Sequence, residues 1–592
     1  MTRQYTFQTL YRQIKSQKGD FWRTNGYGIV ATLLLLPIPM LVPLLIDEVL
    51  LHHEGKITAS VSMLFGTKEA WVSIVVVLLI VLLLRVSAFF LNNKKTFYAT
   101  RISQKISYLL RHRILHHLER VRLSEYETLK SGGIATKTVQ DVEKISAFAS
   151  NIVTMALSAL VMLIGIAIVM FWMNWVLALL VFTLNPLFLL FSRHLGRKTG
   201  KLLKRRHEAY QRYNEFLNEV LELFIQVRAG NQEQHFFGLL KMRAKAIEKV
   251  SLAHGYKAMV AQNSATLLTN TVVDLFRVLG IMAVAYSDLS IGMMIAFLFY
   301  LSTLTRPIQQ LMQLIIAYQS TQPALERINT LLTLAQEPHY PHKKNPFLGV
   351  KTTSLALHQV SFSYNQGKAI LHEVTLYAKA GQKIALIGSS GSGKSTLAQM
   401  MVGFYPASSG HICYGDTPLE QIGLPVVREH VALMLQQALF FNDTIRMNLT
   451  LTQVKSDEAI FEALRVAQLE EFIKGLEKGL ETPIGKNGIR LSGGQRQRLA
   501  IARLILSDPK VVIFDEATSA LDNMTEYRLY ETLSSFLKGR TTIIVAHRTT
   551  TIKQADYIYV IEKGRVKAQG EYEALKAKGM IEEVFEKEGN PS

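Results

Sequence analysis

The chain has 592 residues, more than one ordinary domain holds, so two or more folding units are expected. A net charge of +20 and a pI near 9.7 suit either nucleic acid or a membrane surface. The mean hydropathy of +0.17 and several apolar runs of the ~20 residues a bilayer crossing needs decide for the membrane and against nucleic acid. The single cysteine, Cys413, excludes an intrachain disulfide and argues against a thiolate metal cluster. It falls in an expected strand and reads as a buried, inert thiol.

Taken in chain order, MTRQYTFQTLYRQIKSQKGDFW is polar and has no apolar h-region, so no cleaved signal peptide is expected. Six apolar spans follow, at about 27–49, 71–92, 152–172, 175–192, 266–286 and 290–316. Only Met173 and Asn174 separate the third from the fourth, which predicts a tight helical hairpin, and YSDLS separates the fifth from the sixth. Charge orients the spans. Arg3, Arg12, Lys15, Lys18 and Arg23 precede the first, NNKK and RHRILHHLERVR lie between the second and third, and RHLGRKTGKLLKRR lies between the fourth and fifth. The first-to-second loop is near neutral, and the fifth-to-sixth carries Asp288 with no Lys or Arg. The bias of Lys and Arg toward cytoplasmic loops therefore puts both termini and both long connections in the cytoplasm.

The long connections, about 93–151 and 193–265, mix Leu, Ile and Tyr with charges at helical spacing and contain no proline. At ~1.5 Å per residue, thirty helical residues reach ~45 Å, so the spans are expected to continue as rods. LKSGGIA (129–135) and VRAGNQEQ (227–234) supply glycines for turns at the tips. The rods are either a static stalk or levers on a soluble domain, and the lever is the reading adopted. Arg85 in the second span and Asp274 and Arg277 in the fifth are intramembrane charges. Asp274 and Arg277 stand i, i+3 on one helix face and can neutralise each other. Such charges face a bundle interior or a wet cavity, so a packing salt bridge and a cargo-facing site both stay open. Pro37, Pro39, Pro43, Pro186 and Pro307 are expected to kink their helices. A linker is expected over 318–354, where QEPHYPHKKNP holds His339 and His342 without acidic or thiol partners nearby, as a solvated segment rather than a metal site.

The remainder, 355–592, reads as an α/β domain. LALHQVSFSY (355–364) alternates as a strand does, and IALIG (384–388) is a buried β run. The latter feeds GSSGSGKST, residues Gly388, Ser389, Ser390, Gly391, Ser392, Gly393, Lys394, Ser395 and Thr396, and then the helical LAQMMVGFY. This is GxxxxGK[ST] in a strand–loop–helix context. Its glycines let successive N–H groups converge on an anion, Lys394 suits the β- and γ-phosphates, and the Ser395 hydroxyl suits Mg2+. In VVIFDEATSALD (511–522) an apolar strand ends in two carboxylates. Asp515 fits an Mg2+-linked role, and Glu516, one residue on, fits a general base for water attacking the γ-phosphate. LSGGQRQRLA (491–500) offers a second anion site, with flexible Ser492-Gly493-Gly494 opening a helix at Gln495.

Gly388–Ser395, then LSGGQ, then VVIFDE resemble an ATP-binding cassette nucleotide-binding domain. The resemblance implies adenine stacking on Tyr364 and a Q-loop glutamine at Gln436 that contacts Mg2+ or water and the membrane-domain coupling helices. It also implies a D-loop in SALD ending at Asp522, and a switch histidine at His547 near the γ-phosphate. Six spans with long cytoplasmic helices ahead of one cassette resemble a half-transporter of the lipid-flippase and multidrug exporter branch. SGGIATKTVQDVEKI (131–145) is similar to its first intracellular loop and AFLFYLSTLTRPIQQL (296–311) to its sixth span. The resemblance is not to the leader-cleaving branch, so no N-terminal peptidase domain is expected. Lys486, in IGKNGIRLSGG, stands where the family often has Glu, in a stretch tied to coupling.

The expected fold is thus a membrane α-helical bundle of six transmembrane helices with long cytoplasmic extensions (1–317), a linker (318–354) and an α/β P-loop ATPase domain (355–592). The resemblance implies that LSGGQ of one subunit caps the γ-phosphate on the P-loop of another. One cassette then completes no site alone, and the partner is a second half-transporter. With Glu516, His547 and LSGGQ intact, a homodimer is favoured over a heterodimer. The expected activity is ATP-driven export of an amphipathic compound by alternating access. A lipid flippase with the same engine and an ATP-gated channel are the alternatives. A bacterial inner membrane is the expected location.

Overall fold

The computed structural model describes residues 4–51, 59–60, 63, 69–128, 134–135, 137–286, 289–364, 367, 369–515, 523–546 and 549–589. It divides into two compact units: 1–115 with 132–333, and 116–131 with 334–592.

The first unit is helical. Helix α1 (Phe7–Ser16) is capped by Thr6, whose side chain accepts from Thr9 N, and buries Leu10 and Ile14. Helix α2 (Lys18–Leu35) stops short of Pro37, and α3 (Ile38–Leu45) restarts beyond it and runs into a π-turn, Ile46–Leu50. A proline ring crowds the preceding turn and removes a donor, so the expected kink is a break here. The Tyr300 hydroxyl donates to the Leu36 carbonyl at this break, at 2.7 Å. Helix α4 (Ala70–Leu118) has 49 residues, about 70 Å at ~1.5 Å each against a hydrocarbon core of ~30 Å. After the short α5 (Leu123–Thr128), which belongs to the second unit, the first unit continues with α6 (Val142–Met173), α7 (Trp175–Glu222), α8 (Phe224–Ala229), α9 (Glu233–Tyr286) and α10 (Ile291–Leu332). The expected rods are therefore continuous helices, with α8 at one turn between them. Asn174, in extended backbone, makes the predicted hairpin by accepting from Leu177 N at 3.0 Å.

Among the described residues, five helical stretches, 18–50, 70–118, 137–173, 233–286 and 291–332, are long and apolar enough to cross a membrane. The expected fourth span falls in α7, where the side chains of 184–199 lie outside the described residues. Helix α10 runs through Pro307 and Pro323 to Leu332, so 318–332 is helix rather than linker. Its last turns are held by side chains distant in sequence. The buried Asp141 carboxylate takes two hydrogen bonds from Arg327, at 2.8 and 2.6 Å. Tyr5 N donates to Asn329 Oδ1 at 2.7 Å, and Asn329 Nδ2 returns a bond to Tyr5 O at 3.0 Å.

The described residues of the second unit form two sheets. A six-stranded sheet has the order β10-β9-β3-β8-β7-β6, built from β3 (Lys383–Ile387), β6 (Val431–Met434), β7 (Val511–Asp515), β8 (Thr541–Val545), β9 (Tyr557–Glu562) and β10 (Arg565–Gly570). All its pairings are parallel except β10 with β9. Ile384 to Ile387 are fully buried, as a strand covered on both faces requires. An antiparallel sheet, β2-β1-β4-β5, uses β1 (Leu355–Ser363), β2 (Ala369–Ala378), β4 (Ser409–Tyr414) and β5 (Thr417–Pro418). Cys413 lies on β4 as expected, and burial pushes its thiol pKa up, away from the reactive thiolate.

Segment 116–131, expected in the membrane domain, belongs with this second unit. Arg122 N donates to Ala335 O at 2.9 Å and Glu337 N to Arg120 O at 2.7 Å, so 120–122 and 335–337 run side by side. His342, expected in a solvated stretch, is hydrogen-bonded to the Ile422 carbonyl at 2.7 Å.

Candidate nucleotide site

Because β3, β8, β7 and β6 are parallel, the loops leaving their carboxyl ends share one edge of the sheet, where open α/β sheets bind ligands. These loops begin at Gly388 after β3, Ala546 after β8, Glu516 after β7 and Leu435 after β6. Strand order alone thus gathers the ends of four strands, at Ile387, Met434, Asp515 and Val545, on one edge.

The P-loop runs from Gly388 into α11 (Lys394–Met401). Gly388 has φ +156°, and a Cβ there would lie 2.0 Å from the Ile561 carbonyl oxygen, so only glycine lets the loop pass β9 this closely. Gly393, at φ +99°, turns the chain into the helix. Lys394 is buried, and its ammonium donates to the Gly388 and Ser389 carbonyls at 2.6 and 3.0 Å. Ser395 Oγ donates to Asp515 Oδ1 at 3.0 Å, joining residues 120 apart in sequence. Among the described residues the buried Ser392 Oγ has no hydrogen-bond partner, and an anion in the loop would satisfy it. A hard cation needs oxygen donors, and the Ser395 hydroxyl against the Asp515 carboxylate is such a set.

Tyr364 closes β1 and is half-buried. Its hydroxyl lies 3.3 Å from Thr396 Oγ1, so the structure brings this ring to the end of the P-loop. Gln436 is exposed two residues beyond β6, on the P-loop edge. Glu516, Asp522 and His547 lie outside the described residues; Glu516 directly follows β7, and His547 lies two residues beyond β8.

The LSGGQ stretch opens α12 (Gly493–Leu506). Ser492 and Gln495 form a reciprocal capping box: Gln495 N donates to Ser492 Oγ at 3.1 Å, and Ser492 N donates to Gln495 Oε1 at 2.8 Å. Leu491 is buried and anchors the turn, while Ser492 is exposed. First-turn N–H groups have no acceptor within a helix, so those of Gly493 and Gly494 remain at the positive end of its dipole. Lys486 is exposed in a 3-10 turn, Lys486–Gly488.

In the first unit, Asp274 and Arg277 form the expected i, i+3 ion pair at 2.8 Å, both exposed on α9. Arg85 is exposed on α4. Two cations escaped the sequence reading as a pair. Lys95 Nζ donates to Ser158 Oγ at 3.2 Å, and Arg306 is near enough for its charge to act on Lys95. Gly28 makes room, since a Cβ there would lie 2.8 Å from Ser158 Oγ and 3.0 Å from Lys95 Cδ. Within NNKK and TRP, these residues read only as an orientation signal and a kink. Asp47 was also missed: it is buried on the π-turn, accepts from Ser290 Oγ at 2.5 Å and Gly292 N at 2.8 Å, and so fastens the first span to the start of α10.

Comparison with protein-family models matches residues 40–308 to the ABC transporter transmembrane region and residues 371–519 to the ABC transporter domain. The chain is similar to the ATP-dependent lipid A-core flippase of Alcanivorax borkumensis, at 30% identity over 82% of this chain and 83% of the relative. It is also similar to the protein of the same name from Chromobacterium violaceum, at 31% identity over 79% of this chain and 80% of the relative. Its fold is similar to that of a bacterial Atm1-family ABC exporter with ATP bound, with a TM-score of 0.78, 23% identity and coverage of 96% and 98% of the two chains. The chain therefore belongs to the ABC transporter family, as an ATP-hydrolysing integral membrane transporter whose transmembrane region is fused ahead of its ATPase domain.

Proposed function

We propose that two copies of this chain form an exporter that moves an amphipathic, lipid-like compound across the bacterial inner membrane by alternating access, with both termini in the cytoplasm. The observation that carries the engine is the Ser395–Asp515 hydrogen bond at 3.0 Å, which joins two phosphate-site motifs at the carboxyl edge of the parallel sheet. Gly388–Thr396 wraps the triphosphate, Lys394 exchanges its loop carbonyls for phosphate oxygens, and Tyr364 stacks on adenine. Ser395, Asp515 and Gln436 would hold Mg2+, which when bound neutralises phosphate charge. Glu516 takes the proton of the attacking water, and His547 donates toward the γ-phosphate. Ser492 to Gln495 cap the γ-phosphate on the other subunit, an assignment supported by the exposed, dipole-backed turn at Ser492.

ATP clamps the cassettes, the long helices carry that closure to the spans, and hydrolysis resets them. The differential binding of ATP to the two states drives the switch. Flipping of a lipid by the same engine is the second reading, favoured by the two flippase relatives and by the Lys95–Arg306 cations, which suit an anionic headgroup. Proteoliposomes test both readings. Wild type moves a labelled amphiphile or lipid only with ATP, and Glu516→Gln binds ATP without moving it. Movement without ATP turnover would establish a channel instead.

A further inference from the structure

Tyr405 lies between α11 and β4 and is 3% exposed. Its hydroxyl donates to Glu127 Oε1 at 2.6 Å, across 278 residues of sequence. Glu127 lies on α5, whose neighbouring residues 120–122 are laced to 335–337 and whose Leu123 packs into the core beneath. On its other side the Tyr405 ring meets Tyr364 nearly perpendicular, with centroids 5.2 Å apart at 84°. Phe362 closes the group, 5.4 Å from Tyr405 and 4.8 Å from Tyr364.

Tyr364 is therefore held on two sides, by Thr396 at its hydroxyl and by the Tyr405 ring along its edge. A phenylalanine at 405 would fill the same core space. The hydroxyl adds a charge-assisted bond to a helix that belongs to the intracellular loop by sequence and to the ATPase unit by packing. Burial and the adjacent Glu127 carboxylate drive the Tyr405 phenol far above its usual pKa, so it stays a donor at working pH.

We infer that Tyr405 is a positioning residue that ties the seat of α5 to the orientation of Tyr364, so that docking of the intracellular helix and binding of the nucleotide base are thermodynamically coupled. The inference rests on Tyr364 being the adenine platform. Coupling between two sites is reciprocal: a well-seated α5 tightens base stacking, and a stacked base tightens α5. The triphosphate meets the P-loop rather than Tyr364, so the coupling acts on the base half of the ligand.

The test uses the full-length protein in lipid nanodiscs and measures equilibrium binding of Mg-ATP and of Mg-tripolyphosphate, which lacks a base. Tyr405→Phe and Glu127→Ala are each expected to weaken ATP about fivefold or more while changing tripolyphosphate by less than about twofold. Glu127→Gln, which keeps an acceptor, is expected to bind ATP nearly as wild type does. The double variant Tyr405→Phe/Glu127→Ala is expected to be no weaker than either single variant, because both remove the same bond. Unchanged ATP affinity in both single variants, or equal losses for ATP and tripolyphosphate, overturns the inference. Tyr364→Ala separates the premises. If it leaves ATP affinity unchanged, the adenine platform falls and the relay with it. If it weakens ATP and the other two variants do not, the relay alone falls.

Discussion

Gly388→Ala tests how the P-loop is built. The new Cβ would sit 2.0 Å from the Ile561 carbonyl oxygen and 2.9 Å from Ser392 Oγ, where ordinary contact begins at 3.4 Å. Loop and strand must separate by more than an ångström. Strand β9 cannot yield easily, because Ile387 and Val560 are partners in the β3–β9 ladder, so the loop moves instead. Overpacking costs about 1–3 kcal/mol, and the positive φ adds about 1–2 kcal/mol. With ~1.4 kcal/mol per factor of ten, the loss in ATP affinity should reach about 100-fold. Gly391→Ala is the matched control: φ is +76° and no described residue lies within 4 Å, so backbone strain dominates and the loss stays near tenfold. Nucleotide titration, with a thermal melt of each variant, reads both effects. Should Gly388→Ala bind ATP as well as Gly391→Ala and melt with wild type, the close approach does not shape the loop.

Glu516→Gln should bind ATP with near wild-type affinity and lose hydrolysis by 100-fold or more, on the order of a lost general base; normal turnover removes that role from Glu516. Arg327→Ala leaves the Asp141 carboxylate buried at 3% exposure. The cost is about 3 kcal/mol, the lower end for a broken buried pair, because Arg327 is itself 44% exposed. A melt should show the loss, and adding Asp141→Asn should recover much of it. Gly292→Ala would place a Cβ 2.3 Å from Pro43 O and 2.4 Å from Asp47 Oδ2. It should destabilise by about 1–3 kcal/mol, whereas Gly19→Ala, with no described residue within 4 Å, should be neutral or slightly stabilising.

The nucleotide motifs were legible because each is a short contiguous string whose flanking strand and helix are written beside it. Gly388 to Thr396 carries its own β run and helix, and the Asn174 hairpin is likewise local. What escaped is long-range. The Asp47–Ser290 and Tyr405–Glu127 bonds join residues 243 and 278 apart, and no local pattern marks either partner. The domain seam was misjudged for the same reason. Residues 120–122 join 335–337 through backbone hydrogen bonds that any side chains permit, so composition does not announce them. Helix α10 outran its expected end because the apolar run that marked the span stops near 316, while Asp141 and Tyr5 hold its last turns from distant sequence.

Mixing two inactive variants tests the composite site most directly. Lys394→Ala disables a P-loop and Gly493→Asp disables a signature turn, so either homodimer should fail to occlude ATP. In a mixed dimer, the intact P-loop of the Gly493→Asp chain meets the intact signature of the Lys394→Ala chain. One whole site is restored, and one ATP should be occluded per dimer. If the mixed dimer forms and occludes none, each chain builds its site alone, and the shared-site account is wrong.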